Sequence, residues 1–162
     1  MGGEIAQWRE WNHDAELDWS LLQFAPHEGI KRLIGDLNRV YRENRALYEL
    51  DFQSEGFQWI QSEDAANSSY AFLRWSQGHD ECVIVVANFT PVVRHDYRIG
   101  VPGRGFYREI FNSDAAIYGG SNIGNQGGRY SEPVPAHGFS DSLSVSMPPL
   151  SIVMLKPVGA MK

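Results

Sequence analysis

The sequence predicts a mainly β protein, an antiparallel sandwich preceded by a loop and one long helix. Three observations carry this. After residue 50 the chain breaks into short β-branched and aromatic runs bounded by Gly, Pro, Asn, Asp or Ser. Before residue 50 a single stretch repeats apolar residues at spacings of three and four. The 162 residues are 43% apolar and 21% charged, the composition of a cored domain rather than a disordered one.

The elements follow in chain order. Residues 7–25 are rich in Trp and charge without a sustained period and read as loop. Residues 27–48 read as helix. Ile30, Leu33, Ile34, Leu37, Val40 and Tyr41 form the apolar stripe, and Lys31, Arg32, Asp36, Asn38, Arg39 and Arg42 fill the polar face. Pro26 supplies a start signal, and no glycine marks the end. The stripe is wide for a helix with one sheet domain beside it, as in a piece excised from something larger.

Candidate strands are 57–61, 70–75, 81–90, 95–101, 106–111, 142–146 and 151–156. The run Cys82-Val83-Ile84-Val85-Val86-Ala87 reads as a central strand, apolar on both faces. Leu143, Val145 and Met147 alternate with Ser142, Ser144 and Ser146, which predicts that the two sets face opposite ways. Gln77-Gly78-His79-Asp80 is a hairpin turn. Short strands with turns between them suggest Greek-key connections. Residues 112–138 form a polar, glycine-rich insertion of a length that is usually functional or mobile.

Several chemistries find no support. Twenty acidic against fourteen basic residues give a net charge of -6, with no basic run to attract nucleic acid or an anionic membrane. No apolar stretch approaches the roughly 20 residues of a membrane span. The N-terminus lacks a signal-peptide pattern, and a lone cysteine that cannot form an internal disulfide leads to the expectation of a cytoplasmic setting. The single cysteine, Cys82, reads as a buried apolar residue. The sequons at Asn67 and Asn88 are read as chance matches. The insertion lacks the Lys-Ser or Lys-Thr of a P-loop and precedes no helix. His13, His27, His79, His95 and His137 have no metal-site spacing and read as surface or loop histidines. Asp14, Glu16 and Asp18 alternate like calcium ligands but lack the loop's glycine and terminal glutamate. No metal or cofactor is expected, and no hydrolase motif occurs.

Aromatic residues make up 12%, including five Trp and seven Tyr. Trp8, Trp11 and Trp19 lie beside Glu4, Gln7, Glu10 and Asn12. Flat rings interleaved with amides and carboxylates suit the apolar faces of sugars. The same rings suit packing against a neighbouring domain.

The run from Met1 to Asp14 (MGGEIAQWREWNHD), followed by Leu17-Asp18-Trp19, closely resembles a segment of bacterial 1,4-α-glucan (glycogen) branching enzymes. The resemblance continues through Arg39-Val40-Tyr41-Arg42, Ala46-Leu47-Tyr48-Glu49-Leu50-Asp51 and Gly56-Phe57-Gln58-Trp59-Ile60. It takes in the run from Asn88 to Arg98 (NFTPVVRHDYR) and the run from Asn112 to Asn122 (NSDAAIYGGSN), and ends at Pro148-Pro149-Leu150.

This resemblance implies that residues 1–48 are the last loop and helix of a truncated (β/α)8 catalytic barrel. Residues 49–162 would be the amylase-type C-terminal sandwich. It implies a retaining transglycosylation, in which an α-1,4 glucan is cut and the piece is passed to a 6-hydroxyl. The family's catalytic carboxylates lie on barrel strands before this segment, so no catalytic residue is carried over. The chain is expected to be a non-catalytic fragment that braces or extends a glucan-binding barrel. The barrel would be its intramolecular partner and α-1,4-glucan its ligand. Glu4, Gln7, Trp8, Glu10, Trp11 and Asn12 match the loop after the last barrel strand and are the expected substrate-binding residues. The alternative is a stand-alone α-glucan-binding sandwich, with Trp59, Tyr107 or Tyr118 as stacking rings.

Overall fold

A computed structural model describes residues 1–159. The N-terminal arm contains short 3-10 turns at Gly3–Ile5 and Trp19–Gln23, then helix α1, Ala25–Glu43. Pro26 occupies the first turn, where its missing N–H costs nothing. Glu28 in the first turn and Arg42 in the last complement the helix dipole.

The helix ends five residues before the expected Tyr48. Asn44 leaves helical torsions (φ -124°, ψ 102°), and its Nδ2 donates to the Val40 carbonyl at 2.7 Å. That side chain satisfies an orphaned carbonyl, so an asparagine does the work expected of a glycine. A 3-10 turn, Arg45–Leu47, follows and buries Ala46 completely.

Eight strands follow: β1 Phe57–Asp64, β2 Ser69–Trp75, β3 Cys82–Asn88, β4 Arg94–Val101, β5 Phe106–Asn112, β6 Gly128–Tyr130, β7 Asp141–Met147 and β8 Ser151–Pro157. One sheet has the order β1-β2-β3-β8-β5-β6, and β4 pairs with β7 in a second. Every pairing is antiparallel. The chain passes between sheets on either side of β4 and of β7. This leaves β8 hydrogen-bonded between β3 and β5, the interleaving of a Greek-key sandwich. The predicted strands are all present. The short strand β6 was not anticipated: it lies inside the glycine-rich insertion, where three residues pair with the β5 edge.

The core lies between the sheets. Leu73, Ile84, Ile99, Leu143 and Leu155 are fully shielded there. Leu143, Val145 and Met147 all face inward as the alternation predicts, while on the opposite face Ser142 is fully buried and Ser144 and Ser146 are half-buried. Strand β3 is apolar on both faces as read: Cys82, Ile84 and Val86 face the core, while Val83 and Val85 lie under Ala46, Leu47 and Met154. Burial pushes the Cys82 thiol up to about 12, with Glu81 adding to the shift, so it remains protonated. Asn88 is also buried, and its Nδ2 donates to the carbonyls of Val92 and Pro148. It ties two turns together and cannot accept a glycan.

The insertion is pinned by its own side chains. The Asp114 carboxylate accepts from Ser121 N at 3.0 Å, Ser121 Oγ at 2.6 Å and Ile123 N at 3.1 Å. Asn125, fully buried, bridges Glu109 on β5 and Ser146 on β7. Helix α1 docks on the loop so formed. A Cβ at Gly29 would stand 2.4 Å from the Tyr118 carbonyl oxygen, so only glycine allows this approach. The Tyr118 hydroxyl donates to Asp36 Oδ2 at 2.7 Å. Burial first, then Asp36, raises this phenol to about 12. Beyond this contact, Ile30, Leu33, Ile34 and Leu37 are only half-buried and Tyr41 is exposed.

Candidate functional site

The Trp-rich loop is built on two closures. At its start, Ile5 is buried, Ala6 turns left-handed (φ 50°), and Gln7 N donates to the Gly2 carbonyl at 3.1 Å. At its base the Arg9 guanidinium engages both Asp18 carboxylate oxygens, with Nε at 3.1 Å from Oδ2. The loop between is thereby held as a protruding lobe.

The six predicted residues divide within it. Gln7, Glu10 and Asn12 line one shallow cleft of about 140 Å³, together with Arg9, Ala15, Glu16 and Leu17. Gln7 Nε2 donates to the Arg9 carbonyl at 2.9 Å, and Asn12 Oδ1 accepts from Asp14 N at 3.0 Å. Glu4, Trp8 and Trp11 lie outside the cleft. Glu4 accepts from Gly2 N at 3.0 Å. Trp8 is 80% exposed with its ring centroid 5.6 Å from that of His27, and Trp11 is 52% exposed near His13. Solvent-facing indoles of this kind are uncommon unless something covers them.

The electrostatics favour binding over proton transfer. Backbone N–H donors hold the Glu4 carboxyl below its usual range, and Arg9 does the same for Asp18. Both stay ionised at neutral pH, the wrong state for a general acid. Asp14, Glu16 and Asp18 do not converge, because Asp18 is taken by Arg9 and Asp14 lies 3.3 Å from His13. Among the described residues no group of three His, Cys, Asp or Glu side chains is placed to hold a metal.

The structure corrects two sequence readings. His27 is not a surface or loop histidine: it lies in the first turn of α1, 8% exposed, facing the N-terminal loop. It lies three residues before Ile30 and seven before Ile34, at the edge of the apolar stripe, so its burial follows the helical period although its residue type is polar. Tyr107 is not a stacking ring: it is 1% exposed, and its hydroxyl donates to the Gly103 carbonyl at 2.9 Å. Tyr118 is occupied by Asp36. Of the three sandwich rings considered, Trp59 alone is more than half exposed. It sits on the outer sheet face among Phe57, Tyr70 and Phe72, with ring centroids 4.9–6.1 Å away. Arg9 and Glu16 are cleft residues that sequence reasoning missed. The nine-residue separation of Arg9 and Asp18 follows no secondary-structure period that would reveal their pairing.

Among the described residues no helix is long and apolar enough to cross a membrane. The family described as "Alpha amylase, C-terminal all-beta domain" matches residues 59–158. The "1,4-alpha-glucan branching enzyme GlgB" of Pseudomonas syringae pv. syringae (strain B728a) is 57% identical over 157 residues, covering 97% of this chain and 21% of that protein. The protein of the same name from Pseudomonas putida (strain KT2440) is also 57% identical, with the same coverage. That of Aquifex aeolicus (strain VF5) is 50% identical over 159 residues, covering 98% of this chain and 25% of that protein. The chain thus spans about 21–25% of the length of these relatives.

Proposed function

Since the chain belongs to the alpha-amylase C-terminal all-beta domain family, we propose that it forms the C-terminal portion of a cytoplasmic 1,4-α-glucan branching enzyme. The observation that carries this is the 57% identity sustained over 97% of the chain, well beyond the matched sandwich into the loop and helix. On this reading residues 1–48 are the last loop and helix of the catalytic barrel, and residues 49–162 are the sandwich that braces it. The half-buried stripe of α1 supports the assignment, since a barrel strand or helix would complete its burial.

The reaction is a retaining transglycosylation. A carboxylate attacks the anomeric carbon of an α-1,4 linkage while a second carboxylic acid protonates the leaving oxygen. A glucan 6-hydroxyl then displaces the enzyme with the second carboxyl acting as base. Both carboxyls come from the barrel outside this chain. The part played here is binding. Gln7, Glu10 and Asn12 offer donors and acceptors to sugar hydroxyls, Trp8 and Trp11 offer ring faces, and Glu4 holds the turn beneath them.

The full-length gene product will lower the iodine colour of amylose, and the chain alone will leave it unchanged. Trp11→Ala in the full-length enzyme will weaken glucan binding by about 1–2 kcal/mol, read as affinity for maltooligosaccharides. Unchanged affinity and activity would remove the loop from the substrate groove. A second reading, a stand-alone glucan-binding sandwich, rests on the exposed ring of Trp59. Co-sedimentation of the chain with glycogen, lost on Trp59→Ala, would favour it.

A further inference from the structure

We infer that His27 is the positioning residue of the loop 4–12, acting through the Ile5 carbonyl. The inference rests on the reading above for what that loop contacts, and on geometry for the clamp itself. His27 Nδ1 lies 2.8 Å from the Ile5 carbonyl oxygen. A carbonyl only accepts, so Nδ1 carries the proton and donates it. The bond spans 22 residues and is buried. It joins the first turn of α1 to the residue immediately before the left-handed turn at Ala6, from which Gln7 and Trp8 emerge.

The imidazole is itself fixed on two sides. Trp8 packs against it at 5.6 Å between ring centroids and Phe24 at 6.3 Å, both tilted by nearly 60°. Two residues further along α1, Gly29 meets the Tyr118 backbone, so the helix turn bearing His27 is docked on the sandwich. A continuous path of contacts therefore runs from the insertion loop through α1 to the exposed lobe. Among the described residues no other side chain outside the loop hydrogen-bonds to residues 1–8. Without the N–H of His27, the start of the lobe keeps only its own turn bonds and the burial of Ile5.

Three variants of the full-length gene product separate this role from simple packing. His27→Ala removes ring and donor. His27→Phe keeps a ring between Trp8 and Phe24 but has no donor. His27→Asn loses the ring and keeps a side-chain N–H near the position of Nδ1. We expect His27→Ala and His27→Phe to raise KM for amylose about tenfold with kcat within about twofold, because a misplaced binding loop loses substrate affinity before it loses chemistry. His27→Asn will recover most of the loss. Trypsin cleavage after Arg9, followed by mass spectrometry, will accelerate in His27→Ala and His27→Phe and return towards the parent rate in His27→Asn. A His27→Phe protein with parental cleavage and KM would overturn the clamp and leave His27 a packing residue. Faster cleavage with unchanged KM would uphold the clamp and overturn the substrate-facing reading of the loop.

Discussion

The interior of the sandwich and the inner face of helix α1 are made of the same kinds of residue, yet they end in different states. Leu73, Ile84, Ile99, Leu143 and Leu155 are fully shielded between two sheets, whereas Ile30, Leu33, Ile34 and Leu37 are half-buried. Composition does not separate the two regions; the presence of a second layer does. A sandwich closes its core within one chain because its strands supply both faces. The helix touches the pinned loop at Tyr118, the two N-terminal 3-10 turns and strand β5, and these leave the middle of its stripe half-covered for a surface that the proposed barrel would provide. The loop before it repeats the pattern, with indoles open to solvent on a backbone that is firmly anchored.

The sharpest way to break this comparison is to remove equal side chains from both regions. Leu143→Ala will cost about 2–5 kcal/mol, since the cavity lies where neither sheet can collapse easily. Leu33→Ala in the chain alone will cost about 1 kcal/mol or less, because little apolar area is withdrawn from water there. Urea denaturation of both variants checks this, and equal losses would mean that α1 is already fully partnered.

The helix glycines sharpen it next. Gly29→Ala will destabilise by about 1–3 kcal/mol through the clash with the Tyr118 carbonyl. Gly35→Ala meets nothing within 4 Å and will stabilise by about 1 kcal/mol through helix propensity. Opposite signs in thermal unfolding at sites six residues apart would locate the docking contact on one face. Tyr118→Phe deletes the hydrogen bond to Asp36 across the same contact and will cost about 1 kcal/mol.

The smallest effect is electrostatic. Burial pushes the Asp64 carboxyl up, but hydrogen bonds from Tyr97 and Asn67, with Arg94 near, outweigh it and hold the carboxyl low. Its folded pKa lies below the unfolded value. The stabilisation is therefore complete above the unfolded carboxylate range, about pH 4, and is lost as pH falls through the lower folded value. Asp64→Asn will flatten the acid limb of a stability–pH profile in the sandwich. Asp18→Asn, at the exposed Arg9 pair, will flatten it less because water and salt screen that pair.

Much of this architecture is legible in the residues. The apolar stripe of α1, the two-sided strand β3 and the alternation of residues 142–147 each follow from a period of 3.6 or 2. What escaped has a physical reason in each case. The end of α1 is set by a side-chain bond from Asn44 rather than by a glycine. Strand β6 is too short to show alternation and exists because the β5 edge is there to pair with it. The separation of β4 and β7 into their own sheet depends on connections that no local pattern encodes. In the candidate site, the Trp-rich loop stood out by composition. The Arg9–Asp18 closure and the bond of His27 to the Ile5 carbonyl are long-range facts, visible only after the chain has folded.

Hydrogen–deuterium exchange on this chain and on the full-length gene product measures the central contrast directly. Strands β2, β3, β7 and β8 will show the same protection in both, while α1 and the loop 7–18 will gain protection in the full-length protein if the proposed barrel covers them. Equal protection of α1 and that loop in the two proteins would contradict the account, since the helix would then need no surface beyond this chain.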